Sequence, residues 1–247
     1  MAVRVPASEA EKVAAQLLDL FPAGIQERAL GGSAELAVYT DEAGEAVLRD
    51  VFPDASIELV EGGWEDRWKD FHRPTWVGGL WIGPPWITPP TDDAVVVDPG
   101  RAFGTGAHPT TRACIELLAR LERGSLVDAG CGSGVVAVAA ARLGFAPVYA
   151  VDLDEVAVEV AAGTVRRNEV VVDVCRADVL RDELPSVDIV VANIELLVVE
   201  QLLECLAARV AVTAGYLEAE TPRARGWTHD ERLEVEGWAA DTWRRRH

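Results

Sequence analysis

Two kinds of apolar pattern alternate along this chain. In residues 92–247, short apolar runs at 125–128, 147–152, 172–175 and 187–193 each close on a polar residue. Between them, apolar positions recur at helical spacing over 135–143, 155–168 and 196–210. Strands and helices in turn imply a parallel sheet with helices on both faces. Residues 211–217 add a fifth strand. The tail breaks the alternation: 232–235 and 239–244 read as strands turning at Glu236-Gly237, so the sheet is expected to end in an antiparallel hairpin.

Residues 1–61 carry a different rhythm. Val3 to Val5 suits a short strand, and Ser8 with Glu11 three residues on has capping-box spacing. Val13, Leu17, Leu18 and Phe21 then follow at helical spacing. Strands are expected at 25–30 and 35–39, joined at Gly31-Gly32-Ser33. A helix over 41–51 would bury Ala43, Val47 and Val51, and a last strand falls at 56–60. The order β-α-β-β-α-β is that of a small α+β, ferredoxin-like domain, with an open face for recognition. Residues 62–91 read as a linker crowded with Trp64, Trp68, Trp76, Trp81 and Trp86 and with prolines. These rings either cement two domains or line a substrate channel.

Composition narrows the classes. A net charge of −18 repels phosphate backbones, so direct nucleic-acid binding is disfavoured. The same charge attracts a basic partner, or serves only to solubilise the surface. No apolar run approaches the roughly 18 residues of a membrane span. The first residues lack the plan of a signal peptide, so a cytoplasmic protein is expected. Cys114, Cys131, Cys175 and Cys205 show no short pairing, so reduced, mostly buried thiols are expected, without zinc or any other metal. A monomer is expected.

Three motifs carry chemistry. Asp128-Ala129-Gly130-Cys131-Gly132-Ser133-Gly134 follows a strand and opens a helix, where Gly130, Gly132 and Gly134 let backbone N–H groups approach a ligand. Asp152 ends the next strand, where a carboxylate can accept both hydroxyls of a ribose. Together they indicate an adenosine-type cofactor at the carboxyl edge of the sheet. The Gly-x-Gly-x-Gly spacing disfavours NAD and with it a dehydrogenase. Asp178, past the third strand, either bonds an adenine amino group or simply closes a strand-end turn. The second motif, residues 98–111, includes Phe103, Thr105, His108, Thr110 and Thr111; it reads as a loop that folds over the cofactor with Phe103 as shield. His108 is either a general base or a brace within the loop. The third, Val190-Val191-Ala192-Asn193-Ile194-Glu195, puts an amide at the cleft mouth. The carbonyl of Asn193, with a nearby main-chain carbonyl, can accept N–H from an incoming amine and aim its lone pair, or Asn193 merely caps the strand.

The runs Phe-Gly-Thr-Gly-Ala-His-Pro-Thr-Thr at 103–111, Asp-Ala-Gly-Cys-Gly-Ser-Gly at 128–134 and Val-Ala-Asn-Ile at 191–194 resemble the PrmA family, the methyltransferases of ribosomal protein L11. Residues 64–72, Leu80-Trp81-Ile82 and Pro85-Trp86 share the likeness, which covers roughly 64–217 well. The resemblance implies a Rossmann-like, class I S-adenosylmethionine-dependent methyltransferase domain at 92–247. It implies S-adenosyl-L-methionine held by Thr111, Gly130, Asp152 and Asn193, and a ferredoxin-like domain that recognises the basic ribosomal protein. The methyl acceptors it implies are lysine ε-amino groups and an α-amino group, reached by direct in-line transfer. The sequence departs from the family at Glu195 and Leu196, where Leu-Ala is usual, and at Ala214 and Tyr216, where Ser and Ile are usual; its N-terminal region is short. These departures leave the cofactor untouched and favour, as the alternative, another protein lysine or a small-molecule amine as acceptor. A non-catalytic ribosome-assembly binder would not need the intact glycine, Asp152 and threonine motifs.

Overall fold

The computed structural model describes residues 2–6, 13, 16–17, 20–21, 26–29, 33–38, 42–53, 73–98 and 106–246. The chain divides into two compact units, Met1–Arg67 and Trp68–His247.

In the first unit, β1 (Ala2–Pro6), β2 (Gln26–Ala29) and β3 (Ser33–Ala37) form an antiparallel sheet in the order β1-β3-β2. Alternation in β3 buries Ala34 and Leu36. Leu36 packs with Val3, Val13, Leu17, Val38 and Leu48, and Phe21 and Phe52 lean on this core. Leu48 belongs to α1 (Glu42–Val51). The helix was expected to bury Val47 and Val51, but each is 45% exposed, and the inward stripe is Leu48 followed by Phe52. Those two are four residues apart on one face, so they claim the core and turn Val47 outward. The expected strand at 56–60, the cap at Ser8, and Trp64 and Trp68 lie outside the described residues.

The second unit opens with β4 (Thr75–Val77) and β5 (Leu80–Gly83), an antiparallel hairpin, with β6 (Val95–Val96) parallel to β5. From Thr75 on, the stretch expected as linker is therefore built structure within this unit. Val77, Leu80, Ile82 and Val95 are buried in its core. Asn168 closes β6 with its side chain, accepting from Val96 N–H and donating to Val96 C=O, both at 2.7 Å.

The main sheet has seven strands. The elements run α2 (Pro109–Arg120), β7 (Leu126–Ala129), α3 (Val135–Arg142), β8 (Val148–Asp152), α4 (Glu155–Arg167), β9 (Asp173–Arg176), β10 (Ile189–Asn193), α5 (Leu196–Cys205), β11 (Val210–Leu217), β12 (Trp227–Val235) and β13 (Trp238–Arg245). Strand order is β12-β13-β11-β10-β7-β8-β9. The strands from β9 to β11 run parallel, and β13 is antiparallel to both its neighbours. Alternation along β7 and β10 sends Leu126 and Val191 to one core and Val127, Ala129, Val190 and Ala192 to the other. α5 stops at Cys205, short of the expected 210, because Leu206 turns extended to return the chain to β11. α2 was not foreseen. Pro109 at its first turn, with φ already fixed, makes the end of the threonine-rich motif a helix rather than a loop. Of the four thiols, Cys114 and Cys131 are buried but Cys175 and Cys205 are exposed, fewer buried than expected.

Candidate active site

Strand order reverses between β7 and β10: the chain builds outward to β8 and β9 on one side and to β11 on the other. A crevice forms outside the carboxyl ends of parallel strands at such a point, and ligands bind there. The predicted residues Asp128, Gly130, Gly132, Gly134, Asp152 and Asn193 all lie at the ends of β7, β8 and β10 or in the turn that follows β7.

The glycine turn is stapled to β8. Gly130 and Cys131 N–H donate to the Val151 carbonyl at 2.8 and 3.0 Å. Gly130 has φ +77°, and a Cβ there would sit 2.4 Å from Ile194 Cγ2, so only glycine fits. Gly134 caps α3 in the left-handed region. Asp152 accepts Gly132 N–H at one carboxylate oxygen (2.9 Å) and Asp154 N–H at the other (3.0 Å). Both oxygens are held in place, and each keeps a further lone pair for a ligand hydroxyl. Asp128 does a different task. It is 2% exposed and accepts Ala137 N–H of α3 at 3.0 Å. Burial pushes its pKa up to about 7, against the pull of that N–H, and the nearby Asp152 charge acts in the same sense as burial.

Asn193 ends β10, half-buried. Its amide nitrogen donates to Thr111 Oγ1 over a long 3.4 Å. Thr111 is buried in the first turn of α2, so that helix joins the site through a contact the sequence did not reveal. With the nitrogen turned to Thr111, the amide oxygen is the end left to accept from an N–H donor. Thr110 is bound to His108, whose Nδ1 lies 2.7 Å from its Oγ1 and caps α2 by accepting Thr110 N–H. The His108 ring also meets Trp238 edge-on at 5.1 Å. Burial, then Arg112, lowers its pKa, which suits a neutral cap. In this arrangement His108 braces a helix start.

Asp178 is drawn into its own turn, accepting Leu180 N–H at 3.0 Å, while its N–H donates to Asp182 at 2.8 Å. Phe103 and Thr105 lie outside the described residues. Glu195, beside Asn193, is exposed and starts α5.

Fold and crevice together define a Rossmann-like protein of the class I methyltransferase type. A solved ribosomal protein L11 methylase from Lactobacillus delbrueckii subsp. bulgaricus superposes with TM-score 0.60 at 25% identity, over 68% of this chain and 95% of that one. The family model "Ribosomal protein L11 methyltransferase (PrmA)" matches residues 33–244, and the chain belongs to that family. It is 36% identical over 222 residues to the Bacillus cereus (strain Q1) ribosomal protein L11 methyltransferase, covering 77% of this chain and 71% of that protein. With the Thermoanaerobacter pseudethanolicus protein of the same name it shares 38% identity over 144 residues. That match spans 56% of this chain and about half, 47%, of the relative.

Proposed function

We propose that this protein is an S-adenosylmethionine-dependent N-methyltransferase whose acceptor is an amino group of ribosomal protein L11. The observation that carries the reading is Asn193, its amide nitrogen turned to Thr111, at the switch point that also holds the glycine turn and Asp152. The crevice suits the cofactor. Asp152 offers two fixed oxygens to a ribose, and the turn at Gly130 and Gly132 keeps backbone close to a ligand. When bound, S-adenosylmethionine supplies a methyl group on a sulfonium centre. The chain's own residues supply position. Asn193 Oδ1 accepts an N–H of the acceptor amine and so aims its lone pair, which is catalysis by orientation. The amine must be neutral to attack, and a free lysine titrates near pH ~10.4, so desolvation in the cleft has to favour the uncharged form.

The names of the relatives support L11 as the substrate. A second reading rests on Glu195: a carboxylate beside the acceptor amide favours another protein lysine or a small amine. One experiment separates them. Purified protein is incubated with labelled S-adenosylmethionine and either unmethylated L11 or a whole-cell lysate, and label is located by mass spectrometry. Label on L11 amino groups is expected. Label only on other lysate components selects the second reading, and no transfer in either mixture refutes both.

A further inference from the structure

Ile194, the residue after Asn193, passes between two glycines. Its Cγ2 occupies the space where Gly130 would carry a Cβ. Its backbone does the same over Gly215 in β11: carbonyl oxygen, carbonyl carbon and nitrogen lie 2.2, 2.8 and 3.0 Å from the Cβ position there. Gly215 also has φ +105°, outside the range of ordinary side-chain-bearing residues. It is the extra residue of a β-bulge, since Ala214 pairs with Ala240 and Tyr216 with Ala239.

The bulge is tied down on both sides. Before it, the Ala214 carbonyl accepts Ile194 N–H at 3.1 Å. After it, the Tyr216 hydroxyl reaches Asp241 Oδ2 and Thr213 Oγ1, each at 2.8 Å. Trp243 Nε1 donates to that same Thr213 oxygen at 2.8 Å. Asp241 is fully buried and is held by Arg232 (3.0 Å) and His229 (2.7 Å) of β12. A buried, mutually bonded set of this kind holds one geometry.

We propose that the Gly215 bulge, anchored through Tyr216 to the β12–β13 hairpin, is a positioning device for the acceptor amine. It sets the path of the Asn193-Ile194 peptide across the crevice. Gly215 and Tyr216 are positioning residues that act through Asn193, and their role rests on the methyltransferase reading above. Small displacements of an orienting group cost far more in turnover than in binding.

The test compares wild type, Gly215→Ala and Tyr216→Phe. Affinity for S-adenosylhomocysteine is read by calorimetry, and kcat and KM for L11 by label transfer. The variant Gly215→Ala is expected to lose about a hundredfold in kcat, with cofactor-product affinity and KM within about threefold. Tyr216→Phe keeps every Cβ clearance and loses only the hydroxyl ties; about a tenfold loss in kcat at unchanged affinity is expected. If Gly215→Ala does not fold, Tyr216→Phe decides alone. A folded variant with kcat within twofold of wild type overturns the positioning role, as does a fall in affinity that parallels kcat. Wild-type protein that binds S-adenosylhomocysteine yet methylates nothing overturns the enzyme reading itself, and the positioning role with it.

Discussion

Asp128 and Asp152 end neighbouring strands and do opposite work. Asp152 is held open by two N–H groups, and in the proposed cofactor site its loss would remove charge-assisted bonds to a ribose. Such bonds contribute about 1.5–3 kcal/mol. Asp152→Ala is therefore expected to weaken S-adenosylhomocysteine binding by about 10- to 100-fold in calorimetry; unchanged affinity would remove Asp152 from the cofactor site. Asp128 is closed in and ties β7 to α3. Its pKa rises from 3.8 to about 7 in the fold, so the folded protein keeps a proton that the unfolded chain has released across that interval. Stability from this group is present at acid pH and is lost as pH rises through about 7. Asp128→Asn keeps an acceptor for Ala137 and cannot ionise. Its melting temperature should gain on wild type as pH is raised over that window, whereas parallel profiles would show that Asp128 carries no such shift.

At the scale of elements, the β12–β13 hairpin supports the site edge from behind. Asp241 is its buried pivot, accepting from Arg232 and Tyr216. Removing the carboxylate leaves the buried Tyr216 hydroxyl short of a partner, while the part-exposed Arg232 keeps its bonds to the Glu218 and Glu220 carbonyls, so Asp241→Ala should destabilise the second unit by about 1–3 kcal/mol in denaturant unfolding. A loss under about 1 kcal/mol would mean the network is dispensable. The strands and helices of this unit were legible because their apolar periods are unbroken from β7 to β11. α2 was hidden because Pro109 and two threonines read as loop, and only the folded chain brings Thr111 to Asn193. The glycines at 130–134 and Asp152 could be read from spacing alone. The contact between Gly215 and Ile194 joins β11 to the end of β10 and has no local signature beyond a glycine inside a strand pattern, a mark of a bulge or close approach. Val47 misled because the helical period admits two neighbouring stripes, and Leu48 with Phe52 filled the core better.

For the whole molecule, the net charge of −18 would attract the basic substrate proposed above. Attraction between exposed charges is screened over a Debye length that shrinks to about 8 Å at physiological ionic strength. Raising salt from about 50 to 200 mM should raise KM for L11 several-fold and leave kcat nearly unchanged. A flat KM would assign the acidic surface to solubility alone. In the proposed reaction one crevice would hold the cofactor, and Asn193 would aim the amine across it. The most direct measurement of that division of labour is equilibrium S-adenosylmethionine binding beside single-turnover methyl transfer, in wild type and Asn193→Ala. Binding within a few-fold of wild type, with transfer reduced by about a hundredfold or more, is the expected result. Wild-type transfer in the variant, or binding lost together with transfer, would contradict it.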